Sequence, residues 1–74
     1  MLETKQLRIF KTIVEVGSFT AAGEHLSLSQ PAISQQVRAL EERLGVRLLV
    51  RTGRSTRPTP AGEVLLQCAR QVLD

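Results

Sequence analysis

An apolar stripe in the middle of the chain constrains the fold more than any other feature of the sequence. Its four members are spaced at i, i+4, i+7 and i+11 and therefore share one face of an α-helix: Ile33, Val37, Leu40 and Leu44. Ser29 is a favourable N-cap before the stripe, Pro31 falls in a first turn where a missing N–H is harmless, and Gly45 is a favourable stop. The sequence predicts a helix over residues 30–44 with one face in a core.

Two shorter helices are predicted before this one. The apolar face of the first includes Leu7 and Phe10, and Gly17 is expected to end it. The second begins after Ser18, a favourable N-cap, and only residues 27–29 separate it from the third helix. Two helices joined by so short a turn, with a polar outer face on the second, are typical of a helix-turn-helix.

The rest of the chain predicts a β-hairpin and a fourth helix. Residues 46–51 and 55–59 have the composition of two short strands joined by a turn. Thr59 and Pro60 then supply an N-cap and a first helical residue for an apolar helix that runs to residue 74. The predicted architecture is therefore mainly α, with three helices, a small hairpin wing and a C-terminal helix.

The composition favours binding over catalysis. Ten Lys and Arg against seven Asp and Glu give the 74 residues a net charge of +3. One His and one Cys cannot build a His/Cys metal cluster within one chain, and a catalytic triad would depend on a single base. We interpret Cys68 as a small packed residue. No apolar run approaches the roughly 18 residues of a membrane span. The sequence predicts a small, basic, cytoplasmic binding domain that is not an enzyme and needs no metal, cofactor or membrane.

The third predicted helix carries hydrogen-bonding groups opposite its apolar stripe. At about 100° per residue, this polar face consists of Pro31, Ser34, Gln35 and Arg38. Hydroxyl, amide and guanidinium groups are those that read base edges. No acid lies between Glu24 and Glu41, and the helix dipole adds partial positive charge at the N-terminal end. The pattern predicts that DNA meets the N-terminal half of this helix, although a solvated surface helix would show the same polarity.

Basic residues cluster around the predicted hairpin. The cluster consists of Arg47, Arg51, Arg54 and Arg57. No acid lies between Glu42 and Glu63 to compensate them. Such a segment suits phosphate contact or entry into a narrow minor groove. A solubilising loop is the alternative, and the neighbouring helix-turn-helix favours DNA.

Six short motifs follow one another along nearly the whole chain. In order, they are Leu7-Arg8-Ile9-Phe10, Gly17-Ser18-Phe19-Thr20-Ala21-Ala22, Ser29-Gln30-Pro31-Ala32-Ile33-Ser34, Leu40-Glu41-Glu42-Arg43-Leu44-Gly45, Arg51-Thr52-Gly53-Arg54 and Thr59-Pro60-Ala61-Gly62. In this order and spacing the chain resembles the N-terminal DNA-binding domain of LysR-type transcriptional regulators.

The resemblance implies a winged helix-turn-helix over residues 1–58 and the start of a linker helix, residues 59–74, that pairs with a partner subunit. It implies a recognition helix, residues 30–44, in the major groove and a wing, residues 47–57, on the backbone or in the minor groove. A homodimer would read an interrupted palindrome in double-stranded DNA, and a tetramer is compatible with a full-length protein. The implied location is the bacterial cytoplasm, on the nucleoid. Family members continue into an effector-binding domain, so we expect this chain to be a piece of a longer regulator whose missing part binds a small molecule.

The resemblance and the residue pattern together assign roles to individual residues. The expected base readers are Gln30, Pro31, Ser34, Gln35 and Arg38. The expected backbone and wing contacts are Ser18, Thr20, Ser29, Arg51, Arg54 and Arg57. The expected dimer contacts are Leu65, Cys68, Ala69, Val72 and Leu73. Gln35 stands where the family often has Arg or Lys, and Pro58 replaces a usual Leu and is expected to shorten or distort the return strand.

Two other functions remain open at this point. A protein-interaction module would use only the apolar last helix and would show no special affinity for DNA. An RNA-binding winged helix would lack aromatic platforms for single-stranded bases, because Phe10 and Phe19 are the only aromatic residues and both are expected to be buried.

Overall fold

A computed structural model describes residues 3–53 and 55–73 of the chain. Its elements in chain order are α1 (Thr4–Val16), α2 (Phe19–Leu26), α3 (Gln30–Leu44), β1 (Leu49–Thr52), β2 (Ser55–Pro58) and α4 (Pro60–Leu73). The strands form one antiparallel hairpin after a helix-turn-helix made by α2 and α3. The predicted winged helix-turn-helix is confirmed.

The helix boundaries follow the capping residues that the sequence offers. The hydroxyls of Ser18 and Ser29 accept backbone N–H groups of the first turns of α2 and α3 at 2.8 and 3.2 Å. Gly17 and Gly45 end α1 and α3 with φ of 80° and 70°, the left-handed conformation that glycine adopts at low cost. These local signals set the boundary between α1 and α2 and both ends of α3.

The core lies around α1, which packs against α2, α3, α4 and β2. Its largest fully buried side chains are Phe10, Ile13, Ile33, Leu40 and Leu48. Leu44, predicted as the fourth core residue of the α3 stripe, is instead 40% exposed. Leu44 is the last residue of α3, and the chain turns immediately afterwards at Gly45. Periodicity therefore identified the correct face but extended it one turn too far.

The hairpin is shorter than predicted at both outer ends. β1 begins at Leu49, and β2 ends at Pro58, which pairs with Leu49 in a continuous register. The return strand is thus one residue shorter than predicted, and Pro58 does not distort it, because all four of its residue pairs with β1 are in regular register. The buried Thr56 donates its backbone N–H to the Gly17 carbonyl at 3.1 Å, which ties the wing to the end of α1.

None of the helices over residues 3–53 and 55–73 is long and apolar enough to cross a membrane.

Candidate nucleic-acid interface

An open groove of about 740 Å³ runs between α3 and the wing root, by which we mean residues 47–49 that lead into β1. Its lining residues are Phe19, Gln30, Ser34, Val37, Arg38, Glu41, Glu42, Gly45, Val46, Arg47 and Arg51. The groove therefore brings the predicted base readers Gln30, Ser34 and Arg38 together with Arg51 of the wing. Each of these three residues lies more than ten positions before Arg51 in the sequence.

The five predicted base readers divide between two parts of the α3 surface. Gln30 and Ser34 are half-buried on the flank that faces the wing, and the Gln30 amide Nε2 donates to Ser34 Oγ at 2.8 Å. Pro31 and Gln35 are exposed on the outer crest of the helix and do not line the groove. Arg38 is exposed and lines the groove. Gln30 and Ser34 thus form a hydrogen-bonded pair. Pro31 and Gln35 lie on a separate, exposed part of the same helix.

A second cleft, of about 210 Å³, lies between the start of α2 and the wing. Its lining residues are Ser18, Phe19, Thr20, Gln30, Arg51, Gly53, Ser55 and Thr56. The predicted backbone contacts Ser18 and Thr20 therefore lie near Arg51, next to a helix N-terminus whose dipole favours anions. Ser29 is exposed and caps α3 but lines neither cleft.

Arg51 borders both clefts and is stacked on Phe19. Its guanidinium carbon lies 4.1 Å from the centre of the Phe19 ring, within the range of a cation–π contact. Phe19 is half-buried, so the expectation that both phenylalanines are buried is wrong for this one. The exposed ring face serves as a platform that limits the positions of the Arg51 side chain. No pattern in the sequence indicated this pair.

The predicted arginine cluster does not form a single tip. Arg51 pairs with the buried Thr56 across the hairpin, while Arg57 pairs with the exposed Val50. Because successive strand residues point to opposite faces, Arg51 lies on the inner face of the hairpin and Arg57 on the outer face. Arg47 lies beside α3, with its Nε 3.6 Å from a Glu41 oxygen. The prediction for Arg54 falls outside the described residues.

Replacing Arg51 by Ala is expected to weaken DNA binding nearly evenly across sequences, because a stacked guanidinium beside a helix N-terminus suits phosphate contact. The slope of log affinity against log salt should shrink by about one unit per binding site. Arg43→Ala is the matched control, since Arg43 is an exposed arginine of α3 that lines neither cleft. Equal changes in salt slope for the two variants would contradict a specific role for Arg51.

Glu41 is a further residue of the groove that sequence reasoning did not single out. Its Oε2 accepts the backbone N–H groups of Leu48 and Leu49 at 2.8 and 3.3 Å. The same oxygen lies 3.6 Å from Arg47 Nε. A carboxylate of α3 thus holds the segment from which β1 begins. Its only trace in the sequence is its place in the Leu40–Gly45 motif.

The exposed surface of α4 differs from the predicted set of dimer contacts. Ala69 is fully buried (0% exposed) within the protomer, so this predicted contact offers no surface to a second chain. Leu65 and Leu73 are half-buried. Val64 and Val72 are 64% and 63% exposed, and Cys68 between them is exposed instead of packed. The apolar surface of α4 is therefore a stripe of Val64, Cys68 and Val72, of which Val64 was not predicted.

The fold and the interface together define a winged helix-turn-helix DNA-binding domain. A family model described as "Bacterial regulatory helix-turn-helix protein, lysR family" matches residues 4–63. The chain belongs to this family and is the DNA-binding domain of a LysR-type transcriptional regulator.

Relatives and solved structures agree with this assignment. The chain is 48% identical over 69 residues to the nitrogen assimilation regulatory protein nac of Escherichia coli (strain K12), covering 93% of this chain and 23% of the relative. Among solved structures, the BenM DNA-binding domain in complex with catB site 1 DNA is similar with a TM-score of 0.93 and 42% identity, covering 97% of this chain and 80% of the other. The CbnR DNA-binding domain in complex with DNA has a TM-score of 0.92 and 43% identity, covering 97% and 83%.

Proposed function

We propose that this chain reads a specific double-stranded DNA sequence for a dimeric regulator, with α3 in the major groove and the wing on the backbone or in the minor groove. The observation that carries this proposal is the groove between α3 and β1, where the hydrogen-bonded Gln30–Ser34 pair lies beside Arg38 and Arg51. Amide, hydroxyl and guanidinium groups there match base edges and phosphates. The similarity to two domains solved as DNA complexes supports it.

The proposed activity is binding and not catalysis, carried out in the bacterial cytoplasm on the nucleoid. The relatives are regulators, and the contacts that we infer need only side chains and backbone N–H groups, so this region requires no cofactor. We infer that a small-molecule effector would bind outside this region, because the chain spans only 23% of the length of the nac protein.

The experiment that tests the proposal is selection of bound duplexes from random DNA at physiological salt. An interrupted palindrome with half-sites separated by whole turns of DNA is the expected result. Failure to enrich any sequence, together with self-association of the protein, would favour the interaction module. Preferential binding of single-stranded RNA in competition would favour the RNA-binding alternative.

The homodimer in this proposal forms through the stripe of Val64, Cys68 and Val72 on α4. These side chains are spaced at i, i+4 and i+8 and therefore lie on one side of the helix. The opposite side of α4 is occupied, because Leu66 and Ala69 are buried and Arg70 lies 4.0 Å from Glu15 of α1. The exposed stripe is thus the apolar part of α4 that the protomer itself leaves uncovered.

Replacing both Val64 and Val72 by Glu is expected to yield a folded monomer, because both positions are exposed but a dimer would bury the added charges. Affinity for a duplex with two half-sites should fall about tenfold or more. The reason is that two separate monomers gain nothing from each other's binding, whereas the two domains of a dimer do. Affinity for an isolated half-site should change far less. The matched control replaces the exposed Gln67 and Gln71 by Glu, which adds the same charge to the same helix. Equal losses in the two double variants would contradict this interface.

A further inference from the structure

Glu41 connects the recognition helix to the wing through three contacts of one carboxylate oxygen. Oε2 accepts the N–H of Leu48 at 2.8 Å and the N–H of Leu49 at 3.3 Å, and Arg47 Nε lies 3.6 Å away. The Glu41 side chain is only 17% exposed, in contrast to the 77% of Arg47. The two backbone N–H groups are therefore the better shielded partners, and the exposed ion pair contributes less.

The segment that Glu41 holds is fixed on its other side by the start of α4. Leu48 is buried, and its carbonyl accepts the N–H of Thr59 at 3.0 Å. The Thr59 hydroxyl donates to the Arg47 carbonyl at 2.6 Å. The wing root thus lies between α3 and α4. The Glu41 carboxylate is the side chain that joins it to α3 by hydrogen bonds. Arg51 follows two residues after Leu49 on the same strand.

We propose that Glu41 is a positioning residue for DNA recognition, which sets the separation between α3 and Arg51 so that both contact one duplex. The inference rests on the proposed function, because it assumes that α3 and the wing bind the same DNA. Glu41 acts through Leu48 and Leu49 and does not itself contact DNA. Its charge is balanced by two N–H dipoles and a guanidinium, which reduces the repulsion of phosphate by an acid in this groove.

The neighbouring Glu42 makes the inference testable by the direction of an effect. Glu42 lines the same groove and is exposed, and its side chain makes no hydrogen bond or ion pair with any residue in the described part of the chain. Neutralising either acid removes one negative charge near DNA and by itself should tighten binding. Only the loss of Glu41 also releases the contacts to Leu48 and Leu49, so Glu41→Gln should weaken binding whereas Glu42→Gln should not.

The test compares Glu41→Gln with Glu42→Gln on the duplex selected by the unmodified protein. Glu41→Gln is expected to bind about tenfold more weakly, because weaker hydrogen bonds to Leu48 and Leu49 no longer hold Arg51 in place for DNA, and Glu42→Gln equally or more tightly. In Glu41→Gln the amides of Leu48 and Leu49 should exchange hydrogen faster, while the amides in the middle of α3 keep their protection. The salt slope should fall by about one unit, as for Arg51→Ala.

Two further variants distinguish a positioning role of Glu41 from two other causes of weaker binding, namely loss of folding and loss of charge. Glu41→Asp keeps the charge but shortens the reach, and it should weaken binding at temperatures where circular dichroism shows the domain fully folded. Arg51→Ala should cost less in the Glu41→Gln background than in the unmodified protein, because Glu41 acts through Arg51. Equal affinity of Glu41→Gln and Glu42→Gln, or full additivity with Arg51→Ala, would overturn the inference while leaving the proposed function intact. An unmodified protein that selects no duplex would instead overturn the proposed function and this inference with it.

Discussion

Gly62→Ala is expected to lower the free energy of unfolding by about 3 kcal/mol or more, the upper range for overpacking in a core. A Cβ atom at this position would lie 2.1 Å from the carbonyl oxygen of Leu48 and 3.2 Å from Cβ of Pro58. The nearest atom belongs to backbone and cannot rotate away. Leu48 is also fixed, since its side chain is buried and its carbonyl accepts the Thr59 N–H. The first turn of α4 would have to move away from the wing root.

Thermal and urea denaturation measure this effect, and for a domain of this size a loss of 3 kcal/mol corresponds to a fall in Tm of roughly 12–24 °C. Gly45→Ala is the matched control, because the same methyl group meets no atom within 4 Å there. Its cost should be about 1–2 kcal/mol, from the left-handed φ of 70°. Similar losses in the two variants would show that contact with Leu48 is not the cause.

The helix-turn-helix could be predicted because its determinants are local. Ser18 and Ser29 cap the helices that follow them, and Gly17 and Gly45 end the helices before them, all within a few residues of the groups that they satisfy. Capping depends on neighbouring backbone N–H and C=O groups, so it can be recognised without knowing what packs against the helix.

Contacts between distant segments could not be predicted in this way. Gly62 was recognised only as part of a motif, because the carbonyl that excludes a side chain there belongs to Leu48. Glu41 similarly binds backbone seven and eight residues further along the chain. Periodicity shows which residues share a helix face, but it does not show how far the core extends. Leu44 and Cys68 were misplaced for that reason.

The candidate site shows the same difference between local features, which could be predicted, and contacts between distant segments, which could not. The polar face of α3 was evident from its spacing, whereas its relation to the wing depended on tertiary structure. Sequence reasoning grouped Arg51 with Arg57, but the register of the hairpin places them on opposite faces. The contact between Arg51 and Phe19 joins the wing to α2, two elements that the sequence does not link. Residue types could therefore be predicted more readily than their grouping.

Gln30→Ala and Ser34→Ala are each expected to weaken binding to the selected duplex by about 1–3 kcal/mol, roughly 5- to 150-fold, and to relax specificity at the base pair that they read. The Gln30 amide donates to Ser34 Oγ at 2.8 Å, so each side chain orients the other. Removing either one also loosens its partner. The double variant should therefore lose less than the sum of the two single losses. Affinity measurements on the selected duplex, and on duplexes substituted at each position, test both expectations.

Gln36→Ala is the matched control for this pair. At 100° per residue Gln36 lies on the flank of α3 beyond the core stripe, away from Gln30, and it does not line the groove. The same change there should leave affinity within about twofold, as is usual for a surface substitution away from contacts. Arg51→Ala provides a second contrast, because we expect Arg51 to contact phosphate, and losing such a contact weakens binding without altering base preference. Strictly additive losses for Gln30→Ala and Ser34→Ala, with specificity relaxed at two different base pairs, would contradict a coupled pair. Unchanged specificity in both variants would exclude this flank of α3 from base reading and leave the exposed crest at Pro31 and Gln35 as the reading surface.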